Sequence, residues 1–559
     1  MNEEPTQHNP VPDENKLEAL RGGYRAVLDL LEERAARSVR QFAYSTDGRT
    51  FGYEAPLSLP IPVGCYVHVE NEDSGSFLGQ IITKEIVTRE GVELGVDLGE
   101  EYEDFLPDGM RFSSVNARLQ FRLLEGSGVL LGKVDGTGFA STTNTDLFQK
   151  AEITPADAEM VSRYLAGTSR KGASLPIGHT LYVDGHAVVR LNASGFNRHT
   201  FLCGQSGSGK TFALGIILEQ LLLETDLRIV IIDPNSDFVS LDRLLPLDRV
   251  NRFRSNPLSE HDYAQLTQRY ERATDGLRVF RPEGLAARPE NTLCVRFSDL
   301  SRGEQSGVLE LDPLKDREEF NTFWRIVDGL ERQDYSLSEV KETIAQDYSA
   351  EARQLSLRIE NMGITKWEVW NPTGKPSLID TLQQDDWRCL ELDIGTLSSL
   401  PEKTVIANAV LTYFWRRREQ RKPVLIVIDE AHNICPQESL SDMQAVSTEE
   451  VIRIAGEGRK FGLYLLLASQ RPGKIHNNVL SQCENLALMR MNSRADLQHL
   501  AAILSQIPSS LMNQATQFNQ GESLLAGRIV QNPTFAQFEG RISEEGGSDL
   551  PASWSAKRE

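Results

Sequence analysis

Apolar and polar positions fall into three textures along the chain, and each predicts a different architecture. Over Leu17–Arg40 the apolar residues Leu20, Val27, Leu30 and Leu31 recur at helical spacing, which predicts a helix after a polar, acidic stretch over residues 1–14. From about Pro60 the apolar residues come in short runs, Tyr66–Val69, Leu78–Ile82 and Val129–Val134, split by Gly, Asp, Asn and Ser. That spacing predicts a small β-barrel or sandwich. Its acidic interruption, Glu90–Asp108, reads as a solvated loop, and Tyr182–Leu191 reads as a last strand.

From Asn197 short buried strands alternate with helices. Thr200–Cys203 predicts a strand, Thr211–Leu223 a helix and Arg228–Ile232 a second strand. A long polar stretch follows, with helical spacing near Glu318–Leu330 and Ser336–Asn361, and reads as an insertion or lid. Strands return at Trp387–Ile394, Val424–Ile428, Leu463–Ala468, Leu486–Met491 and Ser523–Leu525, with a helix at Thr404–Arg418. Such alternation predicts an α/β fold built on a mostly parallel sheet. The expected organisation is a tail and helix over 1–57, a β-barrel over 58–192, and an α/β core over 193–240 and 385–535. A helical insertion over 241–384 interrupts the core, and a tail over 536–559 ends the chain.

Charge and cysteine content narrow the function classes. Across 559 residues, 59 Lys and Arg stand against 80 Asp and Glu, a net charge of −21. A uniformly basic nucleic-acid coat is excluded, whereas a local basic lining is not. The six cysteines, at 65, 203, 294, 389, 435 and 483, form no Cys-x-x-Cys pair and read as reduced thiols. No apolar run approaches the roughly 18 residues of a membrane helix, and Met1–Glu14 holds no signal core. A cytoplasmic chain without membrane contact is expected.

The run Gly204-Gln205-Ser206-Gly207-Ser208-Gly209-Lys210-Thr211 fits G-x-x-x-x-G-K-[ST] between an expected strand and an expected helix. Its glycines let backbone N–H groups turn inward around phosphate, and the following helix adds its positive dipole end. Lys210 is the cation for the β- and γ-phosphates of ATP, and Thr211 offers a hydroxyl to Mg²⁺. The nucleotide-binding run extends through Phe212. A second element, the apolar run 424–428, ends in Asp429 and Glu430. Asp429 suits Mg²⁺, and Glu430 suits the orientation and deprotonation of an attacking water.

Lys210 and Asp429 lie 219 residues apart, and too little chain follows Glu430 for a second motor lobe. One chain thus carries one ATP core, and a ring closed by head-to-tail contacts can supply what it lacks. Asp233 and Asp237 follow another strand and face the expected γ-phosphate region. Gln470, in Ala468-Ser469-Gln470-Arg471-Pro472, is placed to sense that phosphate. Arg198 and Arg459 are the candidates for completing a neighbour's site. Arg416–Arg418 with Arg421 and Lys422 read as helix-end cations or as contacts to DNA.

Taken together, Arg198-His199, Gly204–Thr211, Asp233–Asp237, Ile428–His432, Gly458-Arg459-Lys460, Ala468–Pro472 and Gly521–Gly527 resemble the HerA family of hexameric DNA translocases, in the HerA/FtsK branch of P-loop ATPases. The likeness covers about 175–545. It implies a RecA-like P-loop ATPase core preceded by a barrel of the type shared with ATP-synthase subunits. It further implies a homohexamer that moves double-stranded DNA with a partner nuclease or an anti-phage defence effector. Glu430 would be the catalytic carboxylate, Gln470 the sensor, and Arg198 or Arg459 the contributed arginine. One departure is Asn235-Ser236-Asp237, where the resemblance leads one to expect His-Gly-Glu after Asp233. The rival reading is a nucleotide-gated ring scaffold that assembles and regulates an effector with little motor activity.

Overall fold

The computed structural model describes residues 41–96, 115–135, 138–140, 147–168, 172–183, 187–252, 254–330, 334–371 and 375–546, with isolated positions 25, 29 and 185. The helix expected over Leu17–Arg40 lies outside the described residues. The chain divides into two compact units, one reaching to Val161 and one comprising most of the remainder.

The first unit is a barrel of antiparallel strands. They are β1 (Phe42–Ser45), β2 (Thr50–Ala55), β3 (Tyr66–Asn71), β4 (Gly75–Val96), β5 (Val115–Asp135), β6 (Gly138–Ala140) and β7 (Phe148–Pro155). Their order is β2-β1-β7-β3-β4-β5-β6, and a β2–β5 pairing closes six of them. Inward positions alternate along each strand as a period of two requires, so Phe51, Tyr53, Val67, Val69, Phe77 and Ile153 meet in one core. Strand pairing carries the barrel upstream of the expected start at 58. Asp47 closes the β1–β2 turn by accepting from Arg49 N (2.8 Å) and Thr50 N (2.7 Å). The expected acidic loop is also corrected at its start, because β4 continues through Val96.

The second unit is built on eleven strands. After β8 (Ser174–Thr180) and β9 (Val188–Asn192) come β10 (His199–Cys203), β11 (Arg228–Asp233), β12 (Leu277–Phe280), β13 (Cys389–Asp393) and β14 (Val424–Ile428). The set is completed by β15 (Leu463–Ser469), β16 (Cys483–Met489), β17 (Glu522–Ala526) and β18 (Thr534–Phe538). The order is β12-β13-β11-β14-β15-β10-β16-β17-β18-β8-β9. Strands β12 through β16 in that order run parallel, and the remaining pairings are antiparallel. Every residue of β10, β13 and β14 is buried, as expected for parallel strands covered on both faces. The helix Leu400–Arg416 starts with a capping box between Ser399 and Glu402, and twelve of its residues are buried.

Four further sequence expectations change in the second unit. The strand expected over 182–191 is only Val188–Asn192, because Tyr182 turns the chain with φ +59° and leaves a β8–β9 hairpin on the large sheet. The expected insertion also supplies β12, an edge strand of the sheet. The single helical stretch expected over 336–361 is two helices, Leu337–Gln346 and Ala350–Met362, because Ser349 caps the second one. The expected C-terminal tail begins instead with β18, followed by a buried strap. In the strap Glu219, fully buried on the helix Lys210–Glu224, accepts from Ser543 N (2.8 Å) and Ile542 N (3.1 Å). Arg541, 1% exposed, lies 3.8 Å from Glu219 and donates to the Thr211 carbonyl at 3.2 Å. All six cysteines are buried free thiols. No described helix is long and apolar enough to cross a membrane.

Removing one partner of a buried ion pair leaves the other charge uncompensated. Arg541→Ala is therefore expected to lower stability by about 3 kcal/mol in denaturant unfolding of the full chain. A loss below about 1 kcal/mol, the range of an exposed pair, would show that the strap is not held by this contact.

Candidate nucleotide site

The parallel strands place their carboxyl ends on one edge of the sheet, where ligands bind in open α/β folds. Strand β15 separates β10, which feeds the glycine-rich loop, from β14, which ends in the acidic pair. Side chains leaving β10 and β14 therefore meet across one intervening strand, despite 219 residues of chain between them.

The loop itself is shaped by its glycines. Gly207 and Gly209 have φ values of +72° and +94°, and Gly209 caps the helix Lys210–Glu224. Gln205 N and Gly521 N fasten the loop, donating to Arg490 O (2.9 Å) and Ser208 O (2.8 Å). Gln205 Oε1 also accepts from Asn492 N at 3.1 Å. Beside the loop is a cavity of about 820 Å³, lined by Gln205–Gly207 and Gly209–Phe212, by Asp237 and Gln470, and by Gln537 and Phe538 of β18. That volume is in the range of small-molecule and cofactor sites. Ser206, Gly207 and Phe212 belong to its wall, as do Arg252 and Arg254.

Lys210 is 6% exposed and meets both strand-end acids: its Nζ pairs with Asp429 Oδ1 and lies 3.2 Å from Glu430 Oε1. Burial works against the ammonium, but Asp429 and Glu430 outweigh it and raise its pKa above the ordinary value. Burial would likewise raise the Glu430 carboxyl. His432, Lys210 and Gln470 together overcome that and bring it down to about 2. Gln470 Nε2 donates to Glu430 Oε1 at 2.9 Å, and His432 Nδ1 stands 3.2 Å from Oε2. Glu430 also sits in left-handed backbone, φ +44° and ψ +48°, where the strand turns into the short helix Ala431–Asn433.

A second set of acids lies next to this pair. Carboxylate oxygens of Asp233, Asp237 and Asp429 lie within 4.8 Å of one another. Thr211 Oγ1 donates to Asp237 Oδ2 at 3.2 Å, and Asn235 Nδ2 donates to Asp429 Oδ2 at 3.4 Å. Burial raises Asp233 to about 7 and Asp237 to about 6, and Asp429 adds to both shifts. A hydroxyl and several crowded carboxylates are the hard-oxygen donors that Mg²⁺ takes. Asp233 itself accepts from Asn235 N (3.0 Å) and Phe238 N (2.8 Å), so it shapes the turn that carries Asn235 and Asp237.

Among the sequence candidates, Lys210, Thr211, Asp233, Asp429, Glu430 and Gln470 share one edge. Arg198 and Arg459 do not join them. Arg198 precedes β10 and Arg459 precedes β15, so both stand at the amino ends of the strands, where they converge on Glu484. A five-residue strand puts those edges roughly 15 Å apart. Sequence reading missed Asn235 as a partner of Asp429, and Arg252, Arg254 and Arg490 beside the loop. Arg252, Arg254 and Arg490 occupy no position that a motif marks, and Asn235 stands in the Asp233–Asp237 run only as a departure from the expected residue.

Residues 175–412 match the family model described as "Helicase HerA, central domain". Over 426 residues the chain is 26% identical to the DNA double-strand break repair helicase HerA of Sulfolobus acidocaldarius, covering 72% of this chain and 76% of that protein. A probable helicase of Methanocaldococcus jannaschii is 33% identical over 163 residues, 29% of this chain and 31% of that one. Among solved structures, VirB4 of Thermoanaerobacter pseudethanolicus is similar at 13% identity and a TM-score of 0.44, covering 66% of this chain and 97% of that one.

The backbone of Glu430 generates a test. A side chain in left-handed backbone costs about 1 kcal/mol. Glu430→Gly is therefore expected to be more stable than Glu430→Ala by about 1 kcal/mol in thermal unfolding, reversing the usual order of the two residues. An alanine variant as stable as the glycine variant would contradict the strain.

Proposed function

The chain belongs to the HerA family and is a P-loop ATP hydrolase, and from that premise we propose that it is an ATP-driven homohexameric ring that translocates double-stranded DNA. The ring serves an associated nuclease or an anti-phage defence effector and works in the cytoplasm. The relatives named as DNA double-strand break repair helicases support the DNA assignment. The observation that carries the reading is the convergence of Lys210 on Asp429 and Glu430 at one sheet edge, with Arg198 and Arg459 grouped at the other. One edge is built for ATP chemistry. The other presents cations toward a neighbouring copy in a head-to-tail assembly.

Residue roles follow from the contacts. Backbone N–H groups of 204–209 and the Lys210 ammonium take the phosphates of ATP, and Phe212 and the cavity wall take the rest of the nucleotide. Thr211 and Asp429, with Asp237 beside them, would hold Mg²⁺, which when bound neutralises charge on the β- and γ-phosphate oxygens. Glu430, kept ionised by His432, Lys210 and Gln470, accepts a hydrogen bond from the attacking water and orients it. Gln470 links that carboxylate to the cavity and reports the presence of the γ-phosphate. Asp233 braces the Asn235–Asp237 turn. Arg198 and Arg459 stabilise the charge that develops on the transferred phosphoryl group at the next subunit's site.

Steady-state ATP turnover with and without linear duplex DNA, over a salt series, tests this reading. Stimulation by DNA that fades as salt rises is expected, because phosphate contacts release counterions. Lys210→Ala is expected to abolish turnover, and Glu430→Gln to retain ATP binding while turnover falls at least about a hundredfold. Wild-type turnover indifferent to DNA at every salt concentration would favour the nucleotide-gated scaffold. Normal turnover in Glu430→Gln would remove the carboxylate from its role.

A further inference from the structure

We propose that Glu484 is the positioning residue of a three-arginine edge, Arg198, Arg459 and Arg528, presented to the ATP site of the adjacent subunit. The proposal rests on the ring reading above and adds to it a third cation and the group that aligns all three. Glu484 lies in β16, at the edge of the sheet opposite the phosphate loop. Arg198 Nε is 3.1 Å from its Oε1, Arg459 Nη1 pairs with the same oxygen, and Arg528 Nε is 3.9 Å from Oε2.

An isolated surface ion pair would carry little meaning. This arrangement differs in two respects. Three guanidinium groups on one carboxylate leave an uncompensated positive charge. The neighbouring imidazole registers that charge: His199 is fully buried and its pKa falls to about 4, through burial first and then through Arg459 and Arg198. The backbones that carry the arginines are also fixed to one another. Asn485, fully buried, donates to Gly195 O (3.0 Å), Arg198 O (3.3 Å) and Thr200 Oγ1 (2.9 Å). Its Oδ1 accepts from Arg528 N at 2.7 Å.

Two glycines allow these loops to touch. A Cβ at Gly195 would lie 2.4 Å from Arg528 O, and one at Gly527, φ +98°, would lie 2.2 Å from Glu484 O. His199 Nδ1 accepts from Leu465 N at 3.0 Å and joins the Arg198 and Arg459 strands. Thus Asn485 and His199 set the backbones and Glu484 sets the side chains. All three arginines still reach solvent, at 33%, 32% and 72% exposure, so they can contact a neighbour. A cluster built only for local stability has no need of the surplus charge. Aligned cations able to meet a phosphoryl group in transit do need it.

The experiment is subunit complementation with full-length protein. Lys210→Ala has a dead site and an intact arginine edge, and Glu484→Ala has the reverse. Glu484→Ala is expected to assemble like wild type, bind ATP within about twofold, and lose turnover by about 10- to 100-fold, the effect of a misplaced catalytic group. Glu484→Gln keeps the shape without the charge, guards against a folding defect, and is expected to behave alike. Co-assembled in equal amounts, the two inactive variants are expected to recover roughly a quarter of wild-type turnover, because each head-to-tail interface needs one good site and one good edge.

Wild-type turnover in both Glu484 variants would overturn the proposal. So would assembled mixed rings without recovery, since the cluster would then act within its own subunit. Wild-type protein that turns over ATP as a monomer would overturn the ring reading as well, and native mass distinguishes that failure from the other two.

Discussion

The site depends on the burial of one lysine between two carboxylates. Lys210, Asp429 and Glu430 are all removed from water at the end of the parallel strands. Two negative charges and one positive charge in a low-dielectric place are held only by good geometry and additional hydrogen bonds. The fold supplies both. Strand β15 keeps β10 and β14 in register, Gln470 donates to one oxygen of Glu430 while His432 stands beside the other, and Asn235 donates to Asp429. The left-handed backbone at Glu430 is a local strain of the kind that collects where a side chain must be aimed. An incoming triphosphate presents to Lys210 the same type of charge that Asp429 and Glu430 already present.

In the proposed ring the two edges of the sheet have separate tasks. At the carboxyl ends the backbone turns into loops that bind phosphate, and at the amino ends it gathers arginines around Glu484. The parallel strands separate the two, because each enters on one edge and leaves on the other, and antiparallel β17 delivers Arg528 to the arginine edge from its carboxyl end. A subunit so built carries complementary chemistry on opposite edges. Stacking copies head to tail joins them, and a closed ring leaves no edge unused. The net charge of −21 is compatible with the proposed ring, which needs cations only where phosphate is met.

Much of this was legible in the chain itself. The glycine-rich loop is contiguous, so its residues and their order suffice to place it. The acidic pair was legible because Val424–Ile428 is an unbroken apolar run ending in two acids. Asn235 and Arg541 were not legible, because their partners lie far away in sequence and no local pattern marks a side chain that crosses between elements. Strand β12 is only four residues beside a polar helix, and β1 is equally short, so periodicity had too few positions to show them. Glu484 and Asn485 look like ordinary polar residues at a strand start. Their importance arises from three loops that meet only in the folded sheet.

In the proposed ring one chain holds half of the ATP machinery and a neighbour supplies the rest. Turnover per chain, measured over a dilution series alongside native mass, tests it most directly. Specific activity is expected to stay constant while rings persist and to fall steeply when dilution separates the subunits. Undiminished activity per chain in a fully monomeric sample would contradict it.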